Sequence, residues 1–304
     1  MISTEHLDWP EEAAQYPSQA VQAFAAPGSN LAMDFHGDPV TAGLVVYSDG
    51  NHHMALEESI RTFLQQNPDA DDVFYTTTPP APLVNAMRGE GLVLGNLRLS
   101  RKPDVFIGPD NILMDLHESG DVGQNRPFAR SRGNVLLVRR GNPKNIHKLS
   151  DLLADDIAVT CSNPVTEKAS FSVYRQALVS MAESDGLDGD PLITRFTDSG
   201  PQTVHSKRIH HREVPEIVAS GQADVAVIYY HLALRYVRIF PEIFDLVDID
   251  EVTSDQPNPR HPTTTYHVGL VNDENPWAAK FFDFMQGGSV ADIYHRHGLV
   301  GFYQ

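Results

Sequence analysis

Apolar residues recur along this chain in two rhythms, and the switch between them marks the elements. Gly43-Leu44-Val45-Val46-Tyr47 is a short apolar run rich in β-formers and predicts a buried strand, closed by the turn Ser48-Asp49-Gly50-Asn51. Met54, Leu56, Ile60, Phe63 and Leu64 then follow helical spacing over Met54–Gln66. Val73-Phe74-Tyr75 reads as the next strand, Thr76–Pro82 as a loop and Leu83–Met87 as the start of a second helix. Asp104–Ile107 is a third strand, stopped by Gly108-Pro109. The rhythm resumes with a strand at Asn134–Val138, a short helix at Ile146–Leu153, a strand at Asp156–Thr160 and a helix at Phe171–Glu183. A strand at Leu192–Phe196, a helix at Glu213–Ala219 and a strand at Ala223–Tyr230 follow. Asp245–Pro262 is acidic and proline-rich and reads as a surface excursion. Strand Tyr266–Val271 and helices at Pro276–Met285 and near Val290–His297 close the chain.

Strands alternating with helices predict an α/β protein with wound, mostly parallel sheets flanked by helices. Two lobes are expected: 40–127 with 266–304, and 128–265, with the crossovers near Pro127–Arg130 and Thr263–Tyr266 acting as a hinge. Residues 1–39 read as an N-terminal extension. It would hold a short helix over Tyr16–Phe24, turns at 27–30 and 37–39, and Trp9 and Phe35 packed onto the body.

Composition narrows the function. The length of 304 residues suffices for two lobes with real cores. A formal charge of -17 removes the basic footprint that nucleic acid requires, and it repels anionic membranes. It leaves anionic ligands open, because backbone N–H groups and hydroxyls bind anions without lysine. No apolar run approaches the roughly 20 residues needed to cross a bilayer. The one cysteine, Cys161, allows neither an intrachain disulfide nor a cysteine-rich metal site. Met1–His6 lacks the basic and apolar stretches of an export signal, so the expectation is a removed leader or a cytosolic protein.

Candidate chemistry gathers in loops that follow strands and precede helices: Ser48–His53, Thr76–Pro82 and Ser162–Ser170. Open α/β sheets bind ligands there, and helix N-termini offer unpaired N–H groups with a partial positive charge of about +0.5. Each residue also has a plainer role open to it. Thr76–Thr78 can satisfy a turn and cap a helix, Ser48 and Asn51 can be loop residues, Ser170 a helix cap and Tyr229 a core tyrosine. The pairs His52-His53 and His210-His211 lack the cysteine or carboxylate spacing that completes a metal set, and adjacent histidines diverge. His295 and His297 do not share a helical face, Gly89-x-Gly91 lacks the setting of a phosphate loop, and no Gly-x-Ser-x-Gly elbow is present. No metal, cofactor or catalytic residue is therefore assigned.

Five pieces, in order, carry a resemblance: Leu44–Glu58, Lys102–Asp110 with Met114-Asp115, Asn134–Asp151, Val218–Tyr229 and Trp277–Gly298. Together the chain resembles the type II periplasmic binding proteins, most closely the ModA-like molybdate/tungstate-binding group, from about Leu44 to Phe302. The resemblance implies a ligand cleft between two lobes and a monomeric receptor that is not an enzyme. Such a receptor captures a small oxyanion by hinge closure and hands it to the membrane permease of an ABC importer. It places Ser48 and Asn51 in the first ligand loop, Thr76, Thr77 and Thr78 in the second, and Ser170, His211 and Tyr229 in the second lobe. Asp49, His52 and His53 make the first loop more charged than the family's, and Gly200–Arg212 looks like an insertion. The alternative is the same fold binding a metal ion or organic acid, as a cytosolic sensor.

Overall fold

The computed structural model describes residues 35–303 except 90, 95, 96, 199, 208, 250 and 254–260. The helix expected at Tyr16–Phe24, Trp9, most of the expected extension and the middle of the surface excursion lie outside the described residues.

In chain order the elements are β1 (Phe35–His36), β2 (Leu44–Ser48), α1 (His53–Gln66), β3 (Val73–Thr77), α2 (Pro80–Arg88), β4 (Leu92–Leu94), β5 (Leu97–Leu99), β6 (Val105–Pro109), α3 (Asp110–Glu118), β7 (Gln124–Arg130), β8 (Asn134–Arg139), β9 (Val159–Cys161), α4 (Lys168–Ser184), α5 (Asp190–Thr197), β10 (Thr203–His205), α6 (His210–Ala219), β11 (Val225–Tyr229), α7 (Tyr230–Ile239), β12 (Phe244–Val247), β13 (Thr265–Leu270), α8 (Pro276–Phe284), α9 (Gly288–Arg296) and β14 (Val300–Gly301). The fold is mixed α/β, and packing divides the chain into two units at Arg130/Ser131 and at Thr263/Thr264.

The first unit holds a sheet of order β1-β3-β2-β6-β13-β7-β14, in which β3, β2 and β6 are parallel and the remaining pairings antiparallel. Alternation along β2 divides the core in two. Leu44 and Val46 face a cluster that includes Leu56, Ile60 and Phe63 of α1, Phe281 of α8 and Ile293 of α9. Val45 and Tyr47 face Leu83 and Met87 of α2 and Leu113 and Leu116 of α3. Helices thus cover both faces, which is why β2 reads as continuously apolar rather than alternating. Leu56, Ile60 and Phe63 share one buried stripe of α1, and Phe63 meets the ring of Phe281 edge-on at 5.1 Å. Phe35, in β1, stacks on Phe74 at 5.9 Å, so regular structure starts before Ala42.

β7 carries no sequence rhythm, and Pro127 in its middle argues against a strand. The register explains it: Tyr266 pairs with Ala129 and His267 with Pro127, so Phe128 is the extra residue of a bulge. β14 pairs β7 only at Ala129 and Arg130, so Pro127 has no partner strand on that side whose ladder it could break.

The second unit holds a sheet of order β10-β9-β11-β8-β12, with β10, β9 and β11 parallel and β8 antiparallel to both β11 and β12. Leu192–Phe196, expected as a strand, lies in helix α5. Asp190 and Pro191 provide helix-start chemistry, and the buried residues Leu192 and Phe196 stand four apart on one face. Ile146–Leu153 shrinks to a single 3-10 turn, Leu149–Leu153. The surface excursion begins as strand β12, and part of Gly200–Arg212, read as an insertion, is strand β10 and the start of α6.

Candidate functional site

Parallel strands end together, so their following loops gather at one edge of a sheet. In the first unit this edge collects the ends of β2, β3 and β6. Thr76 and Thr77 lie in β3 itself rather than in a loop, and the register sets Tyr47 beside Thr76 and Ser48 beside Thr77. The Thr78 N–H donates to the Ser48 carbonyl at 3.0 Å, which ties the two strand ends together. Ser48, Thr76, Thr77 and Thr78 are all fully buried. The hydroxyls of Thr76 and Thr78 have no hydrogen-bond partner among the described residues. Asn51 sits in the same loop, where its N–H donates to the buried Asp49 carboxylate at 2.7 Å.

His52 links this loop to the C-terminal helix. Its Nδ1 lies 2.8 Å from the Tyr294 hydroxyl and its Nε2 lies 3.4 Å from Ser48 Oγ. Burial, reinforced by Asp49, holds the Tyr294 phenol well above its ordinary pKa, so its O–H stays available to donate. With Tyr294 donating to Nδ1, the histidine carries its proton on Nε2 and presents it to Ser48 Oγ. Ser48 in turn donates to the Asp49 carbonyl at 3.0 Å.

The second unit builds its edge from the ends of β9, β10 and β11 and the starts of α4, α6 and α7. Tyr229 ends β11, buried, with its ring 5.1 Å from Tyr174 and 5.2 Å from His231. His211 is buried in the first turn of α6. Pro215 cannot donate to the carbonyl four residues before it, and the Tyr236 hydroxyl donates to that His211 carbonyl instead, at 2.7 Å. Ser170 is half-buried in the first turn of α4. The structure therefore brings Ser48, Asn51 and Thr76–Thr78 to one edge, and Ser170, His211 and Tyr229 to strand and helix ends of the other unit.

Sequence reasoning missed the center of the second edge, the buried carboxylate of Glu167, which immediately precedes α4. It accepts from the His210 backbone N–H at 2.8 Å, from His210 Nδ1 at 2.9 Å, from the Asn163 N–H at 3.3 Å and from the Ser206 hydroxyl. Burial alone would raise its pKa. The opposing charge of His210 and the hydrogen bonds from His210 and Ser206 bring it down to about 2. The available signals were an acidic residue just before a helix and a histidine at the next helix start. His210 had been weighed only as a metal ligand. In the same unit, Ser162 Oγ, Thr160 Oγ1 and the side chain of Asn134 are buried without a partner among the described residues. Gly133, at φ 128°, lets the chain pass His261, whose Nε2 accepts from the Asn134 N–H at 2.8 Å.

The sequence model described as "bacterial extracellular solute-binding protein" matches residues 44–300. The thiosulfate-binding protein of Escherichia coli (strain K12) is 39% identical over 62 residues, which cover 20% of this chain and 18% of that protein, under a fifth of the relative's length. Among solved structures, the sulfate-binding protein SubI from Mycobacterium tuberculosis H37Rv superposes with a TM-score of 0.61 at 16% identity, over 84% of this chain and 85% of that one. The periplasmic molybdate-binding protein of Azotobacter vinelandii gives 0.60 at 16% identity, over 86% and 100%. At such identities the likeness shows the fold. Among the described residues no helix is long and apolar enough to cross a membrane.

Proposed function

Because this chain belongs to the bacterial extracellular solute-binding protein family, we propose that it captures a small oxyanion of the molybdate/tungstate type for the permease of an ABC importer. One observation carries the reading: the buried, unpartnered hydroxyls of Thr76 and Thr78 beside Ser48 at the carboxyl ends of β2 and β3. Buried polar groups cost free energy unless they are hydrogen-bonded, and a tetrahedral anion supplies several acceptors at once. The loops Ser48–His53 and Thr76–Pro80 contain no lysine or arginine, so neutral donors do the binding. Relatives described as thiosulfate-, sulfate- and molybdate-binding support an anion of this size.

The proposed contacts are Ser48, Asn51 and Thr76–Thr78 in the first unit, and Ser170, His211 and Tyr229 in the second. Capture proceeds by hinge closure, and the permease reads the closed form. The protein acts as a monomeric extracytoplasmic receptor and not as an enzyme. A protonated organic acid is the second reading, favored by the buried carboxylates Asp49 and Glu167 in strand-end loops.

Titration calorimetry and thermal melting against molybdate, tungstate, sulfate, thiosulfate, phosphate and short organic acids test this. An oxyanion at one hundred times its Kd should stabilise the fold by about 2.7 kcal/mol. Stabilisation by organic acids alone would overturn the oxyanion reading.

A further inference from the structure

At the start of α6, donors of the kind that commonly hold an anion are already spent. Glu167 takes the first N–H of α6, the Asn163 N–H, the Ser206 hydroxyl and the His210 Nδ1 proton. It is an internal anion seated in the donor nest. A second anion must therefore be met there by something else.

The geometry points to His210. Its ring is 4% exposed as a residue, and Nδ1 is spent on Glu167, so Nε2 lies on the opposite edge of the ring. Nε2 is buried and has no hydrogen-bond partner among the described residues. A buried nitrogen left that way is unfavourable until something bonds to it. Ser162, one residue before Asn163, repeats the situation with its Oγ. His211 occupies a different position, its ring 5.7 Å from that of His210 and turned by 88°.

We propose that His210 Nε2, with Ser162 Oγ, is a further contact of the second unit to the bound anion, and that Glu167 is the residue that positions it. The proposal rests on the oxyanion reading. Against an anion, Nε2 carries a proton and donates, while Nδ1–H remains on Glu167, so the ring is an imidazolium between two negative groups. The contact is a charge-assisted donor, and the Glu167–His210 pair adds no net charge to an acidic protein.

Two substitutions separate the ring's edges. Asparagine places its amide nitrogen near the position of Nδ1, and glutamine places its own near Nε2. His210→Asn should keep the bond to Glu167 and lower affinity for molybdate and sulfate about ten- to one-hundredfold. His210→Gln should retain part of that affinity. Nitrogen NMR of the histidine rings supplies a readout that a purely structural role would not move. The His210 Nε2 resonance, identified by its absence from His210→Asn, should shift on addition of molybdate. Glu167→Gln should weaken binding and alter the proton state that resonance reports.

If His210→Asn binds molybdate as tightly as the parent protein, the proposal falls while the oxyanion reading stands. If the parent protein binds neither anion, both fall. Should His210→Asn fail to fold, the parent protein decides alone: a resonance that moves with molybdate supports the contact, and one that stays fixed while molybdate binds overturns it.

Discussion

The two strand-end edges are built from opposite materials. The first unit offers hydroxyls, and the buried ones of Thr76 and Thr78 are left without partners. The second unit closes its donors around its own carboxylate, Glu167, and leaves only side atoms such as His210 Nε2 and Ser162 Oγ over. One edge presents neutral hydroxyls, and the other gathers several of its donors on an internal carboxylate. The difference teaches that equivalent places in two α/β sheets need not contribute to binding by equivalent groups, even when both lie beyond the ends of parallel strands.

The sharpest way to break this comparison is Glu167→Ala. It leaves His210, Ser206 and Asn163 without their common acceptor, so it should cost about 3–5 kcal/mol in chemical denaturation. Asp49→Ala in the first unit should also cost stability, because that buried carboxylate accepts from the Asn51 N–H. Acid provides the same test without mutation. The Glu167 carboxyl sits at about 2 in the fold against 4.5 when free. Its stabilisation is therefore complete above pH 4.5 and is lost as pH falls toward 2. Glu167→Gln should remove that component from the acid unfolding profile.

A smaller effect with two signs belongs to the first unit. Thr78→Val removes a buried hydroxyl that lacks a partner. It should stabilise the unliganded protein by about 1 kcal/mol in thermal denaturation and weaken molybdate binding about tenfold. Loss of stability together with unchanged binding would mean that the hydroxyl serves the fold. The smallest effect is expected for Tyr294→Phe, which deletes only the 2.8 Å bond to His52 and should cost about 1 kcal/mol or less.

How far the sequence anticipates this arrangement depends on whether a segment's rhythm is local. Leu44–Tyr47 and Leu56–Phe63 show their structure because burial repeats along each element. Leu192–Phe196 misleads because five residues with two apolar ends suit either period, and the helix-start pair Asp190-Pro191 decides it. β7 is hidden because its pairing is set by β13, far along the chain, and its bulge absorbs a proline. The strand-end loops holding Ser48, Thr76–Thr78 and Tyr229 were legible from strand and helix boundaries. Glu167 was not, because its meaning depends on Ser206 and His210, about forty residues away and reached only through the fold.

The division of the chain also sets an order of events at the ribosome. Among the described residues the second unit is one continuous stretch, whereas β13, the strand between β6 and β7, comes from the last forty residues, as does Tyr294, which holds His52. During vectorial synthesis the inserted unit can finish folding while the first still lacks the middle of its sheet. Until β13 emerges, β6 and β7 expose unpaired edges. A nascent chain stalled in those last residues would be a substrate for chaperones before it could be a receptor.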